Sequence, residues 1–129
     1  MRKNQPSYDF LLNKICVSRE TCHFLSIYYN MLINWNIKFN LVSRKSVNTS
    51  WERHFLDSAQ LWLYLPNKAN IWLDFGSGAG FPGLVAAVIS RELKPNLKFV
   101  LVEKSKKKSS FLYEVVNKFG LNVEILSKR

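Results

Sequence analysis

The sequence is poor in the residues that build disulfide-bonded or metal-stabilised domains. It contains two cysteines, Cys16 and Cys22, and two histidines, His23 and His54. Two cysteines do not form a disulfide framework, and two histidines so far apart along the chain are too few to indicate a metal site. We therefore expect reduced thiols and no bound metal, which is typical of an intracellular protein.

Long apolar segments are also missing. No uninterrupted apolar run approaches the roughly 18 residues that a transmembrane helix needs. The basic start, MRKNQPSYDF, is not followed by the apolar core of a secretory signal. The sequence thus predicts neither a membrane span nor a signal peptide, and we expect a cytoplasmic location.

Acidic residues are scarce relative to basic ones. Nine Asp and Glu face 19 Lys and Arg, for a net charge of +10 and a pI near 9.8. Such a charge attracts polyanions, so nucleic acid is one candidate partner. The other reading is a basic composition without a nucleic-acid function, as in a Lys- and Asn-rich protein from an AT-rich genome. Charge alone leaves both open.

The residues that are present predict one domain with a helical N-terminal part, residues 1–66. Residues 7–15 favour a short helix, and the segment WERHFLDSAQLWLYL favours another that ends before Pro66. Between them, apolar residues recur every three or four positions from Ser18 to beyond Asn36, which indicates one long amphipathic helix. Its apolar stripe comprises Phe24, Ile27, Tyr28, Met31, Leu32, Trp35 and Phe39. We interpret this stripe as core rather than as a base-stacking surface.

Residues 67–129 change in character and predict a β-α-β-α-β unit. The predicted strands are Ile71–Phe75, LKFVLVE and NVEIL, and the predicted helices are Phe81–Arg91 and Lys106–Phe119, with Gly120 as the C-terminal cap. This order is the first half of a doubly wound, mainly parallel sheet. The first strand would then be an apolar edge unless a partner or the N-terminal helices cover it, and we interpret the chain as C-terminally truncated.

The segment IWLDFGSGAGFPG joins the first strand to its helix and is rich in glycine. Gly78-x-Gly80-x-x-Gly83, with Glu103 20 positions later, matches the dinucleotide fingerprint. Pro82, however, lacks the N–H that a pyrophosphate needs there. The offset frame Asp74-x-Gly76-x-Gly78-x-Gly80 suits S-adenosylmethionine. Asp74 would lie near the ammonium group of the cofactor, and Glu103 would accept hydrogen bonds from its ribose hydroxyls.

Three blocks resemble the small-subunit ribosomal RNA guanine-N7 methyltransferases, also called the glucose-inhibited division protein B family. They are NWNIKFNLVS (34–43), RHFLDS (53–58) and LDFGSGAGFPG (73–83). The resemblance implies a Rossmann-like methyltransferase fold with an N-terminal helical extension on the same domain. It implies methyl transfer from S-adenosyl-L-methionine to N7 of a guanine, with 16S ribosomal RNA or the small ribosomal subunit as partner. We expect a monomer with no membrane association.

By motif position, the resemblance implies that Gly76 and Phe81 contact the cofactor and that Ser77, Gly78 and Gly80 line the turn. Guanine N7 carries no proton to remove, so no general base is required and no catalytic residue is assigned. Two alternatives remain: an NAD(P)-dependent oxidoreductase, and an inactive RNA-binding remnant.

Two charged groups leave a structural and a functional reading open. Arg53 and Asp57 are spaced to pair on a helix, or else Asp57 or His54 lies near the methionine end of the cofactor. The cluster Lys104, Lys106, Lys107 and Lys108 is either solvated or contacts RNA phosphates.

Overall fold

The N-terminal part of the chain is helical, as the apolar spacing predicts. The structure, a computed structural model, describes residues 7–43, 47 and 49–127. A helical turn at Leu11–Ile15 precedes helix α1, Arg19–Phe39. The π-helical turn Trp51–Leu56 continues into helix α2, Asp57–Leu61, and a 3₁₀ turn at Trp62–Tyr64. Within the predicted helical range, residues 1–6, 44–46 and 48 lie outside the described part.

The remaining elements confirm the predicted β-α-β-α-β order. Strand β1 spans Ile71–Phe75, helix α3 Gly83–Leu93, strand β2 Lys98–Val102, helix α4 Lys106–Phe119 and strand β3 Val123–Leu126. The strands form a parallel sheet in the order β1-β2-β3, in which Leu73 lies opposite Val100 and Val100 opposite Glu124. Gly120 ends α4 with φ +62°. The fold is a mixed α/β arrangement consistent with the first half of a Rossmann-like methyltransferase fold.

The sheet has one covered and one open face. Phe99, Leu101 and Ile125 are buried beneath the helices, whereas the alternate residues of β1 are exposed: Ile71 by 59%, Leu73 by 54% and Phe75 by 72%. Helix α1 packs on α3 and α4. The apolar edge predicted for β1 is confirmed, since these side chains stay exposed and the described N-terminal helices do not cover them.

Aromatic contacts between α1, the π-helical turn and α4 fill the core. Phe55 packs against Tyr28 and Tyr29 with ring centroids 4.7 and 5.7 Å apart.

Cys16 and Cys22 are free thiols, the first exposed and the second buried. Within the described ranges, no helix has the length and hydropathy needed to cross a membrane.

Candidate cofactor-binding site

The glycine-rich loop lies where the parallel strands β1 and β2 end. The Gly76 N–H donates to the carbonyl of Val102, the last residue of β2, at 2.8 Å. The loop then closes on itself, with the Gly80 and Phe81 N–H groups donating to the Ser77 carbonyl at 2.8 and 3.1 Å. Ligands of open α/β sheets bind at this carboxyl edge. The predicted strand-loop-helix junction is therefore confirmed.

The four glycines of the loop divide into two pairs. Gly76 (φ +67°) and Gly78 (φ +57°) have left-handed backbone conformations, and a Cβ at either position would meet nothing closer than 4.0 Å. A Cβ on Gly80 would overlap the Tyr28 hydroxyl and come within 2.7 Å of Leu84. The first pair leaves open space beside the backbone, whereas the space beside Gly80 is filled by the protein itself.

Gly83, like Gly80, has no free space beside its backbone, because β1 and β2 pack closely against the start of α3. A Cβ at this position would overlap the Leu101 side chain and approach Asp74 Oδ2 to 2.8 Å. The Gly83 N–H donates to the same Asp74 oxygen at 3.0 Å. Close approach of helix to sheet is what demands glycine here.

Asp74 fixes the start of helix α3. Burial raises the pKa of its carboxyl, while the hydrogen bonds from Gly83 and Ser77 act in the opposite direction. A carboxylate at a helix N-terminus interacts favourably with the helix dipole and occupies the place where an anionic ligand would bind. The Leu84 N–H is also bonded internally, to the Gly80 carbonyl at 2.8 Å. This arrangement disfavours the pyrophosphate of a dinucleotide.

Glu103 ties the loop to the end of β2. The carboxylate is buried; Oε1 accepts the Gly78 N–H at 2.7 Å and Oε2 accepts the Ser105 N–H at 2.9 Å. A carboxylate offers about four lone-pair positions, so two remain after these bonds. Glu103 thus holds Gly78 in place and retains capacity for further donors such as ribose hydroxyls.

Tyr28 supports the loop from behind, a role that sequence reasoning missed. It was interpreted as one member of the apolar stripe, and it is indeed fully buried. Its hydroxyl donates to the Ala79 carbonyl at 2.6 Å, and burial raises its pKa well above the usual value. Helical spacing identified the residue as core, but no local signal shows that its hydroxyl meets a loop 51 residues away.

His54 stacks on Phe81, with ring centroids 4.8 Å apart and an angle of 13° between the planes. Its Nε2 atom is buried and has no hydrogen-bond partner. Burial lowers the pKa of the imidazole, and the nearby Arg53 charge lowers it further. The RHFLDS block is thereby brought against the FPG end of the loop.

Arg53 and Asp57 do not form the ion pair that their spacing suggested. Lys98–Glu124, at 3.3 Å, is the single ion pair within the described part of the chain. Both side chains are exposed, and an ion pair between solvated groups contributes little free energy. Arg53 lies in the π-helical turn over Trp51–Leu56, and Asp57 begins α2.

The predicted lysine cluster lies at the start of α4. Lys104, Lys106 and Lys107 are exposed, Lys108 is partly buried, and the first turn contains no acidic residue. None of the four pairs with a carboxylate of the described residues. Because Glu103 is bonded to Gly78, the cluster begins directly beside the glycine loop.

Comparison with known proteins places these features in one family. The family model "GidB: rRNA small subunit methyltransferase G" matches residues 21–129. Curated relatives named "Ribosomal RNA small subunit methyltransferase G" are 40% identical over 117 residues in Ruegeria pomeroyi, 43% over 113 residues in Jannaschia sp. and 39% over 125 residues in Orientia tsutsugamushi. The matches cover 91%, 88% and 97% of this chain, respectively, but 57%, 54% and 61% of the relatives.

The chain therefore spans little more than half the length of the curated relatives it matches. Within that span lie both the open glycine loop and the two carboxylates that shape it. By the extent of the family match and the identity to these relatives, the chain belongs to the rRNA small subunit methyltransferase G family.

Proposed function

We propose that this chain binds S-adenosylmethionine at the glycine loop and contributes to methyl transfer to N7 of a guanine in 16S ribosomal RNA. The observation that carries the proposal is the open space beside Gly76 and Gly78 at the carboxyl edge of the sheet. The helix N-terminus next to it is already neutralised by Asp74. A cofactor without phosphate groups fits such a site better than a dinucleotide.

The residues of the chain would divide the work of binding. Gly76 and Gly78 line the open side of the loop, with the buried Ser77 between them, and Glu103 has lone pairs left for the ribose hydroxyls. Phe81, held between His54 and Tyr28, presents a ring beside the same loop. Asp74 supplies negative charge near a cationic methionine end, although its carboxylate also holds the start of α3.

When bound, S-adenosylmethionine supplies an electrophilic methyl group on a sulfonium. Guanine N7 would bond to the methyl carbon through its lone pair while the carbon–sulfur bond breaks and S-adenosylhomocysteine leaves. Because N7 would lose no proton, the protein would need no general base. Its contribution would be alignment of the reacting atoms and exclusion of water.

The lysine cluster beside the loop, Lys104, Lys106, Lys107 and Lys108, would contact RNA phosphates. We propose that the protein acts on RNA as a monomer in the cytoplasm. Residues 1–66 would form a helical extension, and residues 67–129 would form the first half of the methyltransferase domain.

Calorimetry with a matched pair of glycine variants tests the cofactor site. Gly78 and Gly120 have similar backbone angles, φ +57° and +62°, and open space around the Cβ position. Gly78→Asp places a carboxylate beside Glu103 and is expected to abolish binding of S-adenosylmethionine. Gly120→Asp introduces the same residue at the far end of α4 and should leave binding unchanged.

The proposal fails if NADH binds and S-adenosylmethionine does not, or if Gly78→Asp binds the cofactor as well as the unmodified chain. Transfer of a radiolabelled methyl group to 16S ribosomal RNA, followed by mapping of the modified position, tests the reaction itself. Salt-sensitive RNA binding with no label incorporated at saturating cofactor would instead identify a non-catalytic RNA-binding protein.

A further inference from the structure

Phe39 is an exception within the apolar stripe of α1. Phe39 is 37% exposed, whereas Tyr28 and Leu32 on the same stripe are fully buried. Its ring packs against that of Trp35, with centroids 5.3 Å apart and planes tilted by 43°, and Trp35 in turn contacts Phe111 of α4. The stripe is therefore core along most of its length, but it ends in a ring that is open to solvent.

A cation from another helix lies over this ring. The Lys107 Nζ atom is 5.8 Å from the Phe39 ring centroid, so the end of α1 and the start of α4 meet here. We call Trp35, Phe39 and Lys107 the basic aromatic patch. Lys104 and Lys106 precede Lys107 along the chain and are also exposed.

The lysines of this patch have no carboxylate partner within the described part of the chain. No acidic residue stands in the first turn of α4, and no described carboxylate pairs with these lysines. The helix dipole disfavours cations at an N-terminus, so three exposed lysines there raise the free energy of the fold. An anionic ligand would reverse that effect.

We propose that Phe39 stacks on an unpaired base of RNA while Lys107 and its neighbours contact the adjacent phosphates. Aromatic rings next to cations are the means by which proteins hold single-stranded RNA, because every base has a face to stack and every linkage a charge. The inference rests on the proposed RNA substrate and names the surface that would hold it. RNA on this patch would run beside Gly78, since Glu103 links the start of α4 to the loop.

Binding of a short single-stranded RNA to the full 129-residue chain tests the stacking. Phe39→Leu keeps an apolar contact with Trp35 but removes the aromatic face, and it is expected to weaken binding about 5- to 150-fold. Tyr64→Leu removes an aromatic ring that is 75% exposed elsewhere and should bind like the unmodified chain. Phe39→Ala serves as a second variant, with thermal unfolding of each protein measured in parallel.

The salt dependence separates stacking from phosphate contact. Lys107→Gln should reduce the slope of log affinity against log salt by about 0.7, the value for one phosphate contact on a single strand. Phe39→Leu should lower affinity at every salt concentration without changing that slope. Lys118→Gln, at the opposite end of α4, is the matched control and should change neither quantity.

Fluorescence of 2-aminopurine in RNA that is fully bound distinguishes loss of stacking from loss of binding. Stacking on Phe39 is expected to quench the probe, and Phe39→Leu should restore its emission at saturating protein. Equal quenching by Phe39→Leu and the unmodified chain overturns the proposal. So does equal competition by an acidic peptide, which would assign the patch to a protein partner.

Failure of the proposed RNA stacking and failure of the proposed methyl transfer give different experimental results. If Phe39→Leu loses RNA binding but the chain transfers no methyl group, the patch stands without the reaction. If methyl transfer occurs and Phe39→Leu binds RNA normally, the reaction stands and the patch does not.

Discussion

Gly80→Ala is expected to destabilise the protein far more than Gly76→Ala, although both replace a loop glycine at positive φ. The added methyl group at Gly80 overlaps the Tyr28 hydroxyl and lies 2.7 and 2.9 Å from Leu84 atoms. The hydroxyl cannot withdraw freely, because it is bonded to the Ala79 carbonyl at 2.6 Å inside the core. At Gly76 the same methyl group would meet no atom within 4 Å.

The magnitudes follow from strain and packing. At Gly76 the cost is about 1–2 kcal/mol for a left-handed conformation with a Cβ. At Gly80 the backbone angle, φ +103°, is less accessible still, and overpacking is added to it. Together these cost about 2–5 kcal/mol. For a chain of this size that is a fall in Tm of roughly 8–20 °C.

Urea unfolding of both variants, and of each in a Tyr28→Phe background, measures the difference. Tyr28→Phe alone leaves the buried Ala79 carbonyl without its donor and should cost about 1–3 kcal/mol. Because it also removes the overlapping oxygen, Gly80→Ala should cost about 1 kcal/mol less in that background. Gly76→Ala should cost the same in both backgrounds.

The prediction is wrong if Gly76→Ala and Gly80→Ala destabilise equally, or if the Tyr28→Phe background leaves the cost of Gly80→Ala unchanged. Either result would mean that Tyr28 does not fill the space beside Gly80. Calorimetry adds a second comparison, since Gly76→Ala extends into the open side of the loop and should weaken cofactor binding more than its small effect on stability implies.

Three further variants test local features. Burial raises the pKa of the Glu92 carboxyl, but the hydrogen bonds that it accepts from Thr21 and Ser18 have the larger effect and lower the pKa below its ordinary 4.5. These hydrogen bonds therefore stabilise the fold above pH 4.5, and that stabilisation is lost as the pH falls through the pKa of the folded state. Glu92→Gln should therefore flatten the acid side of a Tm-against-pH curve, and Glu114→Gln, on an exposed residue, should not; equal curves for Glu92→Gln and the unmodified chain would contradict this. Burial lowers the pKa of His54 from 6.5, so the stability of the protein should fall as the pH drops below 6.5 towards the pKa of the folded state. His54→Phe preserves the stack on Phe81 and should remove that loss of stability, as measured by Tm at pH 5 and 7. Ser105→Ala removes the oxygen that accepts the Lys108 N–H at 3.3 Å and should cost about 1 kcal/mol in urea unfolding, whereas Ser110→Ala in the same helix should cost much less.

The elements of this fold were predictable because each has a local cause. Strand β1 was predicted at Ile71–Phe75 and α4 at Lys106–Phe119, with the bounds that the structure shows. Helix α3 begins at Gly83 rather than at the predicted Phe81, because Phe81 and Pro82 still belong to the loop. Periodicity, capping glycines and turn residues act within a few positions, so the chain alone determines them.

The pairing that spacing allows between Arg53 and Asp57 is not formed in the structure. Spacing shows which side chains can meet, but not whether two exposed groups do so. The glycine loop is a second example. Its glycines indicated that another group approaches the backbone closely, but not that open space would remain beside Gly78 while Tyr28 fills the space beside Gly80.

Local patterns in the chain thus specify the order of helices and strands, the junction that bears the loop, and the excess of positive charge. Which face of each element meets another depends on tertiary packing instead. Packing brings Tyr28 to Ala79, His54 to Phe81 and Lys107 to Phe39. These pairs are separated by 27 to 68 residues, and such contacts depend on how whole elements pack, which no short stretch of sequence encodes.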